Sequence, residues 1–140
     1  MLFDELKKQK LMALKNKNEA AKAILPIVIN KCMLLQIEKK TKDEELTDGD
    51  TLNLIIKTIK ELDDEIASFK KANREDKVAE LSAQQEYLKT YLPKQLSKEE
   101  ILEEINKLED KTIPNIMKHF KANFNGQVDM KLVNEVAKSL

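Results

Sequence analysis

The chain has 140 residues, a length typical of one domain or of a modest domain with a small appendage. Hydrophobic residues make up 41% of the chain, enough for a core, and 36% of the residues are charged. Two glycines and three prolines are too few for the turns of an all-β fold, so the composition predicts long helices with short connections. The single cysteine excludes an internal disulfide. With no secretory signal evident, we expect a cytoplasmic protein.

Charge is segregated along the chain although the formal net charge is +0. Residues 7–42 hold ten lysines against two acidic residues, and residues 43–65 hold nine acidic residues against two lysines. The alternation recurs more weakly in residues 98–110, which are net acidic, and in residues 111–138, which are net basic. Such asymmetry is typical of a nucleic-acid-binding face, and equally of complementary helices packed side by side. Both interpretations stay open.

The N-terminal part of the chain predicts two helices. Asp4 can cap a first amphipathic helix that carries Leu6, Leu11 and Leu14 and ends near residues 16–18.

The second helix runs to about Lys40. It is apolar on most sides between residues 23 and 37, which predicts a buried, central position. Its apolar stretch is too short and too interrupted to span a bilayer. Pro26 is tolerated in a first helical turn, but it would kink a helix begun at Asn18.

Two further helices are predicted to form an antiparallel hairpin. Thr47 and Asp50 form a capping pattern for the first of them. Asn73 tolerates left-handed backbone geometry and can also cap the second, with Asp76 at the third helical position. Apolar residues recur at alternating steps of three and four, the spacing of a coiled-coil seam. These positions are Leu52, Ile55, Ile59, Leu62, Ile66 and Phe69 in the first helix, and Val78, Leu81, Gln85, Leu88 and Leu92 in the second.

The segment from Tyr91 to Glu100 divides the chain. Pro93 lacks the amide that a helix interior needs and disfavours helical geometry in the residue before it. Ser97, followed three residues later by Glu100, forms a capping box that opens a new helix. We therefore predict an N-terminal helical domain over residues 1–92 and a small three-helix domain over residues 93–140.

The small domain is predicted to contain three helices of about ten residues each. The first starts at Ser97, the second at Asp110 or Thr112 with Pro114 in its first turn, and the third is capped by Asp129. Asn125 and Gly126 end the second helix. The apolar positions are Ile101, Leu102, Ile105 and Leu108, then Ile116, Met117, Phe120 and Phe124, then Leu132, Val133, Val136 and Leu140.

The sequence offers no arrangement that is typical of an enzyme or of a metal site. Its single histidine, His119, and its single cysteine, Cys32, cannot supply a zinc ligand set, and we expect no metal and no cofactor. Two glycines exclude a glycine-rich phosphate loop. Tyr87 and Tyr91 share a helix face, which is more typical of packing than of base stacking.

Residues in the second half of the chain resemble the GatB/YqeY-like proteins. The segment Tyr91-Leu92-Pro93-Lys94-Gln95-Leu96-Ser97 and the later run Lys131-Leu132-Val133-Asn134 together make the resemblance specific. It covers nearly the whole chain and is best from about residue 50 onward. Relatives usually have glycine at the position of Asn73. The other residues that carry the resemblance are Asp64, Ile66, Phe69, Ala72, Arg74, Glu75, Asp76, Gly126 and Asp129.

The resemblance implies an all-helical fold with an N-terminal helical domain and a small three-helix domain. It relates the chain to the tail of the B subunit of the tRNA-dependent amidotransferase. That enzyme is a carbon–nitrogen ligase that converts Glu-tRNA or Asp-tRNA to the amide with glutamine as amido-N-donor. The tail is thought to contact tRNA, and the chemistry resides in domains that this chain lacks.

The leading hypothesis is therefore a non-catalytic, cytoplasmic helical protein that binds tRNA or a tRNA-processing complex, without contact with a membrane. Lysine supplies the cation that phosphate attraction needs without fixed geometry, so the candidate RNA contacts are Lys94, Lys118, Lys121 and Lys131. The alternative is a protein–protein adaptor that docks on a partner through an apolar groove. The residues expected to shape the fold of the family are Asn73, Tyr91, Pro93, Ser97, Gly126, Asp129 and Asn134.

Overall fold

The structure is a computed structural model that describes residues 1–124 and 126–140. Over those two ranges the chain forms seven α-helices and no strand, so the predicted all-α class is confirmed. The helices are α1 (Leu2–Asn16), α2 (Glu19–Thr41), α3 (Asp48–Lys71), α4 (Glu75–Lys89), α5 (Lys98–Asn106), α6 (Ile113–Asn123) and α7 (Met130–Lys138).

The chain divides into two compact units. The first unit is Met1–Tyr91 and contains α1 to α4, and the second is Leu92–Leu140 and contains α5 to α7. In the first unit α3 packs against α4, α1 packs against α2, and α2 also contacts α3 and α4. In the second unit α7 packs against both α5 and α6.

Helix α1 begins earlier than the sequence predicted. Its N-cap is Met1, so the prediction that Asp4 caps the helix is wrong. The backbone N–H of Leu2 is satisfied by another helix, because it donates to Oδ1 of Asp48 at 2.8 Å. Asp4 lies in the first turn instead, where the helix dipole favours a negative charge.

The inward face of α1 also differs from the prediction. Phe3, Leu6 and Ala13 are buried, whereas Leu11 and Leu14 are 63% and 55% exposed. A separation of five residues rotates Leu11 by about 140° from Leu6, because each helical residue turns about 100°. Of the three leucines that the amphipathic helix was predicted to carry, only Leu6 therefore faces the core.

Helix α2 begins directly after Asn18, whose side chain accepts a hydrogen bond from the backbone of Ala21. Pro26 consequently lies in the helix interior and not in its first turn. Among the described residues, only α2 is long and apolar enough to cross a membrane by length and composition. Core helices of water-soluble proteins pass the same test, and α2 packs against three other helices of its unit.

One side of α2 faces away from the unit. Its core side buries Ile24, Leu25, Val28 and Cys32 completely or nearly so. The prediction of a buried helix is wrong for the opposite side, because that side exposes large apolar side chains to solvent. Their exposed fractions are 49% for Ile27, 48% for Met33, 61% for Leu34 and 62% for Ile37.

Helix α3 is fixed to α2 by polar contacts. The predicted capping box is confirmed, since Oγ1 of Thr47 accepts from the backbone of Asp50 and the Asp50 carboxylate accepts from the backbone of Thr47. The same carboxylate also accepts from Nζ of Lys39 at 2.5 Å. Lys31 donates to Oγ1 of Thr58. These contacts set the position of α3 along α2.

Helix α4 packs its seam against α3. Gln85 and Leu88 are buried, and Gln85 Nε2 donates to the Ile59 carbonyl at 2.9 Å and to Oδ1 of Asp63 at 2.6 Å. Asn73 adopts left-handed geometry with a φ of 56°. The expectation that Asn73 also caps α4 is wrong, because the N-cap is Arg74.

The small unit has its own core beneath three short helices. Of the two predicted starts of α6, Asp110 and Thr112, the structure has Thr112 as the N-cap. Oδ1 of Asp110 accepts a hydrogen bond from the backbone N–H of Thr112. Leu102 and Leu140, predicted as apolar positions of the small domain, are 40% and 58% exposed. The predicted end at Asn125 lies outside the described residues. The core consists of Ile101, Ile105, Ile116, Phe120, Val128, Val133, Val136 and Ala137.

Candidate nucleic-acid interface

The segment before α5 is held on the small unit by hydrogen bonds. The backbone N–H of Leu96 donates to the Gln127 carbonyl, and Nε2 of Gln95 donates to the Gly126 carbonyl, both at 2.8 Å. Gly126 has a φ of 81°, which is left-handed geometry that favours glycine. Lys94 is exposed and directly precedes these contacts, so its backbone is placed beside the α6–α7 connection.

Ser97 then starts α5 with the predicted capping box, which is confirmed. Oγ of Ser97 accepts from the backbone of Glu100, and Oε1 of Glu100 accepts from the backbone of Ser97, both at 3.2 Å. The hydrogen bond from the Ser97 backbone holds the pKa of Glu100 below its ordinary value. The segment 95–97 is therefore held at both ends, and Lys94 is the first residue before it.

The solvent-facing side of α6 carries two of the candidate lysines. Lys118 and Lys121 are exposed and three residues apart, which places them on neighbouring positions of one helix face. Ile116 and Phe120 face the opposite way and are fully buried in the core of the unit. Because the apolar face fixes the rotation of α6, both lysine stems must point to solvent.

The first turn of α7 positions the fourth candidate lysine, Lys131. Oδ1 of Asp129 caps the helix by accepting from the backbone of Lys131 at 3.1 Å, and Val133 faces the core. Lys131 is exposed, as is Glu135 one turn later. Asn134 is half-buried. The Lys131 side chain therefore lies on the outer side of a helix that packs against α6.

Helix α5 presents the opposite charge. Glu99 and Glu103 are exposed on it, and Oε1 of Glu104 lies 3.7 Å from Nζ of Lys107. Phosphate groups are repelled by such a surface. The candidate lysines of the small unit thus belong to the connection before α5, to α6 and to α7, and the acidic side is formed by α5.

Lysines of the first unit divide into two groups. Lys31 pairs with Glu61 and Lys39 with Asp50, both at 2.5 Å, so part of the charge segregation serves the packing of α2 on α3. In the described parts of the chain, a second group is exposed on α1, on α2 and between these two helices, and makes no ion pair. This group consists of Lys7, Lys8, Lys15, Lys17 and Lys40.

Side chains with intrinsic reactivity are engaged in packing. Burial raises the pKa of the Cys32 thiol, next to Thr51. The hydroxyls of Tyr87 and Tyr91 lie 2.5 Å apart, and desolvation, followed by this hydrogen bond, raises the pKa of Tyr91. Within residues 1–124 and 126–140, no group of three or more His, Cys, Asp or Glu side chains is placed to hold a metal ion.

His119 is half-buried between aromatic side chains. Its ring centroid lies 5.4 Å from that of Phe120 and 5.9 Å from that of Phe124. Nε2 of His119 is 4.0 Å from Oε2 of Glu104, and Nδ1 is 3.2 Å from Nδ2 of Asn123. These contacts place His119 at the edge of the core between α5 and α6.

The residues that carry the family resemblance have structural roles in this fold. Asn73 supplies the left-handed residue of the α3–α4 turn, and Tyr91 packs edge-to-face on Tyr87. Pro93 lies in the exposed connection after α4, and Ser97 and Asp129 cap helices. These residues thus form turns and helix caps in the two units.

A sequence model of the family described as Yqey-like protein matches residues 3–140. The chain is a member of the Yqey-like protein family. No individually curated protein matches it.

The exposed apolar side of α2 was missed by reasoning from the sequence. A signal for it is present, because Ile27, Leu34 and Ile37 follow at steps of seven and three, with Asn30 between them. That spacing places all four residues on one helix face.

Proposed function

We propose that this Yqey-like protein is a non-catalytic helical protein that binds tRNA or a tRNA-processing complex. The observation that carries the proposal is the basic outer side of α6 and α7. Lys118, Lys121 and Lys131 are exposed there and form no ion pair in the described part of the chain. Lys94 lies at the connection that is hydrogen-bonded to the loop between these helices.

Phosphate binding is the chemistry that this surface supports. Mobile lysine ammonium groups attract the RNA backbone without fixed geometry, and each phosphate contact releases a condensed counterion. The binding is expected to be salt-dependent and weakly sequence-specific, because the small unit offers lysines and no aromatic stacking platform among its described exposed residues. The sequence resemblance to the GatB/YqeY-like proteins supports the proposal as well, because it implies a relationship to the tRNA-dependent amidotransferase.

An electrophoretic mobility assay with bulk tRNA at several salt concentrations tests the proposal. Changing Lys118, Lys121 and Lys131 together to glutamine should weaken binding. The slope of log affinity against log salt should become shallower by roughly 0.7–0.9 for each phosphate that the variant no longer neutralises. The fold should survive, since all three side chains point away from the core.

A matched control removes the same charge from the other unit. Lys57, Lys70 and Lys71 are exposed on α3, and their joint change to glutamine should leave tRNA affinity nearly unchanged. Equal losses in the two triple variants would mean that only net charge matters, and would contradict a site on α6 and α7. Absence of tRNA binding by the unmodified protein at low salt would favour the protein-adaptor alternative. Glutamine-dependent amidation by the purified chain alone would contradict the non-catalytic assignment.

A further inference from the structure

The outward side of α1 carries two leucines that do not take part in packing. Leu11 and Leu14 are 63% and 55% exposed, although the other side of the same helix is buried in the first unit. A separation of three residues places these leucines about 60° apart around the helix axis, so they lie on one side of the helix. Both side chains therefore protrude into solvent next to each other.

Lysines surround the two leucines. Residues 6–18 contain five lysines and no acidic residue. Because residues three or four positions apart are neighbours on a helix surface, Lys7, Lys8 and Lys15 all flank Leu11. These three lysines are exposed. We define the outer face of α1 as Lys7, Lys8, Leu11, Leu14 and Lys15.

The lysines of the outer face of α1 are not used for packing. Lys31 and Lys39 of α2 pair with acidic residues of α3, whereas the lysines of the outer face make no ion pair within the described residues. Lys15 lies in the last turn of α1, where the helix dipole favours a cation. Lys7 and Lys8 lie in the middle of the helix, so the dipole does not account for them. Their charge can attract an anionic partner.

The mixture of charge and apolar surface discriminates between anionic partners. RNA phosphates attract lysines, but they leave protruding leucines without a contact. A protein partner needs closely packed pockets that match the protruding side chains. A fluid lipid surface adapts to their shape, because anionic headgroups attract the lysines and the boundary of the acyl chains accepts the leucines.

We propose that the outer face of α1 binds the surface of a membrane that contains anionic phospholipid. Leu11 and Leu14 enter the boundary between headgroups and acyl chains, and the ammonium groups of the lysines stay at the level of the headgroups. The contact is peripheral, so no helix crosses the bilayer. It replaces the expectation that the protein has no contact with a membrane, and it does not depend on tRNA binding.

Acidic residues distinguish the apolar side of α2 from the outer face of α1. Ile37 lines a groove of about 730 Å³ together with Lys40 and the three acidic residues at 43–45. Near the start of α2, Glu19 and Glu80 line a groove of about 410 Å³. Anionic headgroups are repelled by such surroundings. The lipid contact is therefore centred on α1.

Binding through this face is expected to be weak and salt-dependent. A few apolar side chains with a cluster of lysines give reversible attachment, and each lysine near an anionic surface raises the affinity about fivefold. Salt screens the attraction between exposed charges, so raising the ionic strength should release the protein.

Co-sedimentation with lipid vesicles tests the proposal. The unmodified protein should bind vesicles of equimolar phosphatidylcholine and phosphatidylserine at low ionic strength, and it should not bind phosphatidylcholine alone. Leu11→Gln keeps the charge and should weaken binding about tenfold. Changing Lys8 and Lys15 together to glutamine should weaken it about 25-fold. Lys7 is left unchanged because its Nζ lies 4.1 Å from the centroid of the Phe3 ring.

Matched controls separate the outer face of α1 from the rest of the surface. Leu140→Gln removes a leucine that is 58% exposed in the small unit. Changing Lys70 and Lys71 together to glutamine removes two exposed charges at the end of α3. Both controls should bind the anionic vesicles nearly as the unmodified protein does. Circular dichroism verifies that all variants remain helical.

Three results would overturn the proposal. The first is no binding of the unmodified protein to anionic vesicles at low ionic strength. The second is equal weakening by a variant of the outer face and its matched control, which would mean that only net charge or overall apolar surface matters. The third is a loss of tRNA affinity in the Lys8 and Lys15 double variant that exceeds its loss of vesicle affinity, which would assign this face to RNA.

Discussion

The contact between Asp50 and Lys39 offers a direct test of how the two halves of the first unit are joined. Asp50 is the third residue of α3 and completes its capping box, and Nζ of Lys39 on α2 lies 2.5 Å from its carboxylate. Both side chains are 21% exposed. Asp50→Ala removes the reciprocal cap bond to the Thr47 backbone and the partner of Lys39 at the same time.

The magnitude of this change follows from the two contacts. A capping interaction is worth about 1 kcal/mol, and a partly exposed ion pair of good geometry adds up to about 1 kcal/mol. Asp50→Ala should therefore lower the free energy of unfolding of the first unit by about 2 kcal/mol. Asp50→Asn keeps an acceptor for the Thr47 backbone and should lose about half of that.

The stabilising effect of Asp50 should depend on pH in a direction that its pKa determines. Burial opposes ionisation of Asp50, but hydrogen bonds from Lys39 and Thr47 outweigh it and lower the pKa of Asp50 below 3.8. A carboxyl group whose pKa is depressed in the folded state stabilises the protein at pH values above the ordinary pKa of that group. That contribution is lost as the pH falls through the folded value. At pH values well below 3.8, the difference in the free energy of unfolding between Asp50→Ala and the unmodified protein should therefore become smaller.

Urea denaturation followed by the tyrosine signal measures the effect. The chain has no tryptophan, and its two tyrosines, Tyr87 and Tyr91, both belong to the first unit, so the signal reports that unit alone. Asp64→Ala is the control, because Asp64 is exposed on the same helix. A change below about 0.5 kcal/mol for Asp50→Ala, the scatter of ordinary surface substitutions, would refute the reasoning. An equal loss at neutral and acidic pH would refute it as well.

Two further predictions concern the start of the small unit. Ser97→Ala should lower the free energy of unfolding of this unit by about 1 kcal/mol through the lost cap. Hydrogen exchange of the backbone amides of residues 98–106 measures this effect. Unchanged protection of these amides would mean that Ser97 does not stabilise α5. A lysine-specific protease should cleave between Lys94 and Lys98, a largely exposed stretch that includes the non-helical connection after α4, before it cleaves within residues 52–69, and mass spectrometry of early fragments identifies the site. Earlier cleavage within residues 52–69 would contradict the division into two units.

Local rules predicted the ends of several helices correctly. Ser97 with Glu100 and Thr47 with Asp50 form capping boxes in the structure as the sequence indicated, because capping depends on residues within one turn. The buried seam positions Ile55, Leu62 and Leu88 also follow from periodicity alone. These features need no knowledge of neighbouring helices.

Features that depend on neighbouring helices were not predicted. The Leu2 amide finds its acceptor on Asp48 of α3, a contact between residues far apart in sequence. Thr58 is buried beneath α2, and its hydroxyl oxygen accepts a hydrogen bond from Lys31 of that helix. The open side of α2 could not be recognised, because a helix that is apolar on most sides does not reveal which side its neighbours cover. The candidate lysines could be placed on outer helix faces by periodicity, but periodicity does not identify their partner.

The turn between α3 and α4 has a consequence for how its sequence can change. Asn73 has a φ of 56°, a region where a residue with a Cβ atom is strained by about 1 kcal/mol and asparagine by less. Glycine removes that strain but gives the unfolded chain more conformers, which costs about 0.4–1 kcal/mol. The two effects nearly cancel, so exchange between asparagine and glycine at position 73 is close to neutral for stability. Genetic drift can therefore alternate these two residues at this turn without selection on the fold.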